Sequence, residues 1–356
     1  DIVDKFGAEK ILFGTPNCEI SSGLSGAVIS MLNYSGIISE AKTKIAGQNL
    51  ISVLNKKKKA KSKLNKFNKI INIPGSKTED TGIKKSFKGF PFDDFILSAY
   101  KGSLLPCPVI DCHYHAGEFA SEYKPGSGID TIRALLERED IEGLFITSSE
   151  AVFGGDHCTG NKYVYDLCKK YPELITGFYV FNPNFSESYN EMEKYLSGMN
   201  FKGIKIHPRI HKCDINDKKY LPVWEAAKKF KVPVLSHTGE GQAHSDPEYF
   251  YEISKKYHEV TFILGHGGES FKGILQSIDI VNSRNNVYID ISGWGFMHKG
   301  VLEFVAAKVG AEKLLFGSDA GWIDFNYAVG VVVFSRLSQP EKEKILYQNA
   351  RKILKK

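Results

Sequence analysis

The chain has 356 residues, 42% of them hydrophobic, and a formal net charge of +6, enough for one large α/β domain or two smaller ones with a real core. No uninterrupted apolar run reaches the ~18 residues of a membrane span, and no secretory leader is visible. The charge excess is local: residues 56–69 (KKKKAKSKLNKFNK) hold eight lysines and no acid, lack stacking aromatics apart from Phe67, and argue against nucleic acid as a partner.

The chain opens with Asp rather than Met, which points to a start partway through something longer. Residues 5–17 (KFGAEKILFGTPN) are nearly repeated at 308–320 (KVGAEKLLFGSDA). The repeat continues into an apolar helix (GAVISMLNY against NYAVGVVVF) and a charged helix that shares Gln48-Asn49 with Gln348-Asn349. One strand and two helices cannot bury their own apolar faces, so residues 1–55 are expected to be a partial copy of a barrel's end. Asp319 stands in the second copy where the first has Pro16. Residues 56–105 carry charge and turn residues without a sustained period and are expected to form a linker.

Residues 106–356 alternate regularly. Apolar runs fit buried parallel strands at 108–112, 143–148, 175–181, 203–207, 232–237, 260–266, 287–292 and 313–318. Segments of helical spacing separate them, such as DTIRALLERED, YLPVWEAAKKF and DPEYFYEISKKY. Eight such units in roughly 250 residues predict an α/β fold of the (β/α)8 TIM-barrel type. No Gly-rich phosphate turn follows the first strand, which disfavours an open doubly wound sheet. The six cysteines are scattered without a C-x-x-C pair and read as reduced thiols of a cytoplasmic protein.

Parallel barrels carry their chemistry where the strands finish. The first predicted strand ends in DCHYH, and His113 and His115, two apart, point the same way because strand side chains alternate. Neutral imidazoles side by side suit zinc and its neighbours. The fifth strand ends at His237, the sixth at His266 and the eighth at Asp319. Lys205 in GIKIH ends the fourth; His207 shares its face, and Arg209 suits an anionic substrate. Glu240 and Glu269 follow site histidines and fit either as acceptors for them or as helix N-terminal carboxylates. Trp294 and Trp322 fit pocket walls or core packing. Cys112 reads as a strand residue facing the barrel wall rather than as a nucleophile.

This pattern, with the phrases IDCHYH, GIKIHP, VLSHTGE, LGHGG and LLFGSD, resembles the amidohydrolase superfamily, in its amidohydrolase-related branch of metal-dependent hydrolases and decarboxylases. The resemblance covers residues 108–356, and the first 55 residues echo only its end. It implies a divalent metal, Zn or else Mn or Fe, held by His113, His115, His237 and Asp319. One ion is favoured over two. Asp319 would also move the proton, with His266 at a second metal or on the substrate. Lys205 would bridge two metals if carboxylated; otherwise it would pair with a carboxylate or with substrate. The expected activity is metal-dependent hydrolysis of a small amide, ester or lactone. Non-oxidative decarboxylation at the same site is the alternative, and a non-catalytic scaffold the second. The partner is a small molecule, with no membrane and no nucleic acid, and a homo-oligomer is left open.

Overall fold

The computed structural model describes residues 7–12, 39–49, 92–118, 128–138 and 140–354. Strands β1 (Val109–Ala116), β2 (Ile141–Ser148), β3 (Ile175–Val180), β4 (Phe201–Ile206), β5 (Val234–Gly239), β6 (Phe262–Gly268), β7 (Val287–Asp290) and β8 (Leu314–Leu315) form one sheet in chain order. Every adjacent pair is parallel. The segment after β8 meets β1 through Cys112 N–H to Phe316 O (2.9 Å), Asp319 N–H to His113 O (2.8 Å) and His115 N–H to Ala320 O (2.9 Å). The sheet thus curls into the expected TIM barrel, with helices outside it. Among the described residues no helix is long and apolar enough to cross a membrane.

Several of the helices start where the sequence supplies acceptors. Asp156, Ser270 and Asp324 each cap a helix by accepting an N–H three residues on, satisfying a donor the first turn would leave unpaired. Their apolar faces bury the outward residues of the strands, such as Val109, Tyr114, Leu144 and Ile204. Inside the barrel, Ile110, Cys112, Phe145, Phe178, Leu235, Ile263 and Leu315 fill the lower part, closed by Ala350 and Leu354 of the last helix. Cys112 is therefore corrected from a wall-facing residue to one packed inside. Burial pushes its thiol well above the ordinary range, which leaves it inert as a nucleophile.

The lower boundary of the barrel also moves. Helix α1 (Asp94–Lys101) lies within the stretch expected to be linker, yet Phe95, Ile96 and Ala99 are wholly buried in the barrel's main core. Its cap, Asp93, pairs with the buried Lys342 at 2.6 Å. Apolar positions at i, i+1 and i+4 give a one-sided helix too short to stand out in sequence. The lysine run, most of the remaining linker, Pro16 and Asn17 lie outside the described residues.

The two repeated phrases adopt matching local structure where both are described. Gly7 (φ 79°, ψ 141°) and Gly310 (φ 81°, ψ 145°) each precede a 3-10 turn with the sequence AEK. A π-helical turn follows at Lys44–Gln48 and at Lys344–Gln348. The next residue reaches back in both cases. Asn49 Nδ2 donates to Ala8 O and Ile11 O (2.6 and 2.5 Å); Asn349 Nδ2 donates to Ala311 O and Leu314 O (2.8 and 2.7 Å).

Candidate metal and substrate site

The carboxyl ends of the strands surround a cavity of about 510 Å3. Its lining includes His115, Phe153, Lys205, His207, Arg209, His237, His266, Glu269, Trp294, Asp319 and Trp322. His113 lies beneath, wholly buried. A bulge in β1 makes this arrangement. The register with β2 slips between Asp111 and Tyr114, so Ile110 and Cys112 point inward, and so do His113 and His115 after the slip. Re-aiming a side chain is a recurrent use of such bulges.

His113, His115 and Asp319 converge. The two Nε2 atoms are 3.1 Å apart, and Asp319 Oδ1 is 3.3 Å from His115 Nε2 and 3.7 Å from His113 Nε2. Lys205 Nζ donates to His113 Nε2 at 2.7 Å. Donor atoms of His113, His115 and Asp319 lie within 4.8 Å of one another, as do those of His113, His266 and Asp290 and those of His237, His266 and Glu269. His207 stacks on His237 with ring centroids 4.1 Å apart. The backbone is left-handed at His266 (φ 65°), Glu269 (φ 60°) and Asp319 (φ 55°). Non-glycine residues rarely hold that conformation, and it concentrates at functional sites.

Burial is the main reason the imidazoles are neutral. It holds His113, His207 and His266 well below the usual histidine range and brings His237 down to about 3. Burial also pulls the Lys205 ammonium down to about 8, against the opposing pull of Asp319 and Asp290. Neutral imidazoles with bare nitrogens crowded together beside a carboxylate are the donor set of a divalent first-row metal. The residues present fit such an ion.

Sequence reasoning missed the groups that hold these side chains. Asp290, at the end of β7, accepts from His113 Nδ1 at 2.6 Å. Thr147 of β2 donates to Tyr114 O, leaving its oxygen to accept from His115 Nδ1 at 3.1 Å. Gln242 Oε1 accepts from His237 Nε2 at 2.9 Å, and its amide nitrogen donates to Glu269. Asp111, wholly buried, takes the N–H groups of His113 (2.9 Å) and Ser318 (3.0 Å) and the Ser318 hydroxyl, which ties β1 to the approach to Asp319. Burial raises its carboxyl to about 7. Glu269 lines the cavity itself, 3.9 Å from His237 Nε2, and accepts from Gln242. Glu240 pairs instead with Lys272 and Ser270 at the start of a helix, the second of its two readings. Trp294 and Trp322 line the cavity and stay 72% and 41% exposed, so both are walls.

The fold recurs among solved structures. A 2,6-dihydroxybenzoate decarboxylase from Rhizobium matches with a TM-score of 0.57 at 17% identity, covering 70% of this chain and 99% of its own. A 5-carboxyvanillate decarboxylase from Novosphingobium aromaticivorans, crystallised with manganese, gives 0.53 at 15%, covering 70% and 97%. A 4-oxalomesaconate hydratase from Rhodopseudomonas palustris gives 0.52 at 16%, covering 69% and 95%. At such identities the likeness is one of fold. A comparison with curated protein sequences finds no match. The amidohydrolase profile matches residues 110–356, well over half of the sequence, and the chain belongs to the amidohydrolase family.

Proposed function

We propose that the barrel is a divalent-metal-dependent, non-oxidative decarboxylase of a small aromatic or conjugated carboxylate. The observation that carries this reading is the lining of the cavity. Arg209, Lys205 and His207 offer cationic and hydrogen-bonding groups to an anion, and Phe153, Trp294 and Trp322 offer flat apolar surfaces to a ring. Two of the structural neighbours named above are decarboxylases of aromatic acids, which agrees with it.

His113, His115, His237 and Asp319 would hold the metal; the imidazole-rich set suits zinc, with manganese and iron as neighbours. When bound, the ion would supply Lewis acidity towards a substrate oxygen. Arg209 would grip the substrate carboxylate through paired N–H donors, and Phe153 and Trp322, whose rings meet edge to face at 5.2 Å, would hold the ring. Asp319, at the cavity floor, would deliver a proton to the carbon that bears the carboxylate. The carbon–carbon bond then breaks, its electron pair restores the conjugation, and carbon dioxide leaves. Solvent reprotonates Asp319.

Used as a base instead of an acid, Asp319 would serve hydrolysis, and one assay separates the two. The purified chain, loaded with zinc or manganese, is offered small hydroxylated aromatic acids and, in parallel, their esters and amides in 18O-labelled water. The decarboxylase reading expects carbon dioxide release with no label in the organic product, and loss of turnover in Asp319→Asn. Label in the product without carbon dioxide would establish the hydrolase. Failure to take up either metal would favour the non-catalytic scaffold.

A further inference from the structure

Beneath the cavity lies a second layer to which the proposed chemistry assigns no step. Asp290 is wholly buried and receives four donors. Its Oδ1 accepts Ser292 N–H at 3.0 Å. Its Oδ2 faces His113 Nδ1 (2.6 Å), the Ser292 hydroxyl (2.6 Å) and, more distantly, His266 N–H (3.4 Å). The Ser292 oxygen in turn lies 2.9 Å from His266 Nδ1 and 3.2 Å from His113 Nδ1.

We infer that Asp290, directly and through Ser292, is a positioning residue that fixes the tautomers of His113 and His266, leaving Nε2 without hydrogen on both. Donor and acceptor capacity decides this. A carboxylate only accepts, so His113 must carry its hydrogen on Nδ1. The other edge of the ring agrees independently, because Lys205 is a donor and its Nζ stands 2.7 Å from His113 Nε2. Ser292 has one hydroxyl hydrogen. Once that is given to Asp290, only lone pairs remain for His266, whose Nδ1 must then be the protonated one. Without Asp290 the serine hydroxyl could turn and donate to His266, reversing its tautomer. One carboxylate on β7 thus sets the ring state of a histidine on β1 and another on β6. For its consequence, a lone pair at His113 Nε2 that a metal could take over from Lys205, the inference rests on the metal-site reading. The hydrogen-bond order itself does not.

Long-range 1H–15N spectra of the metal-stripped, histidine-labelled full chain read which ring nitrogen bears hydrogen. The wild type is expected to show Nδ1–H at both His113 and His266. Ser292→Ala should disturb only His266, and Asp290→Ala should disturb both. Zinc affinity, measured against a chromophoric chelator, should fall 10–100-fold in Asp290→Ala, the usual penalty for losing a ligand's supporting acceptor. Hydrogen on Nε2 of either ring in the wild type would overturn the inference. So would a Ser292→Ala protein in which His266 keeps its state. Those two results stand even if Asp290→Ala does not fold. The expected tautomers without zinc uptake would support the inference and overturn the metal-site reading, so the two failures are distinguishable.

Discussion

Replacing Asp111 by Ala removes the acceptor that fastens β1 to the segment carrying Asp319. The cost follows from the bonds. Two backbone N–H groups, of His113 and Ser318, and the Ser318 hydroxyl lose their partner in a site without solvent contact for Asp111. A buried polar group left unsatisfied costs about 1–3 kcal/mol. Three such groups, partly relieved by local adjustment, make a loss of about 3–5 kcal/mol. Asp111→Asn keeps an oxygen for both backbone donors and alters only the contact with the hydroxyl, which can rotate to accept, so its loss should be about 1 kcal/mol. Urea unfolding followed by far-ultraviolet circular dichroism, at constant pH and without metal, measures both. An Asp111→Ala protein within about 1 kcal/mol of the wild type would refute the reasoning, and so would an Asn variant as damaged as the Ala variant.

Two further substitutions probe the same framework. At Gly317 an added Cβ would stand 2.1 Å from Asp290 Oδ1 and 2.8 Å from His113 Cβ. Gly317→Ala should therefore cost about 1–3 kcal/mol as overpacking and weaken zinc binding in a chelator competition; unchanged affinity would show that Asp290 can yield without moving His113. Asn349→Ala removes two buried hydrogen bonds and should cost about 2–4 kcal/mol in urea unfolding, with metal affinity unaltered because the clamp lies away from the cavity.

Much of the site is legible in the sequence because a parallel barrel places chemistry at strand ends. His113, His115, His237, His266 and Asp319 each follow an apolar run, and that rule alone brings them to one cavity or its floor. The groups behind them obey a different logic. Asp290 sits inside the run VYIDIS and Asp111 inside PVIDC, where an acid looks like an interruption in a strand; only the third dimension reveals the N–H donors that justify its burial. Gln242 lies five residues beyond His237 on a turn, and no local period points it back. The bulge in β1 was equally silent, because two-residue alternation predicts either Cys112 or His113 facing inward, and the structure has both. Helix α1 was missed for want of length. A short amphipathic segment next to charged sequence carries too few apolar positions to distinguish itself from linker, and its burial is decided by the barrel it docks on.

The paired asparagine clamps bear on how a barrel of this kind is put together. Asn349 staples the entry of the last strand to the final helix, and Asn49 makes the same two bonds around an almost identical phrase in a different stretch of the chain. A glycine with φ near 80°, a 3-10 turn and a π-turn recur with it. The clamp joins residues 35 to 41 positions apart, and it recurs with the two short phrases that meet across it, as a fastening that travels with its own instructions. Evolution can duplicate such a part, as a tailor reuses a clasp, without carrying along the carboxylate that makes the second copy a candidate for chemistry.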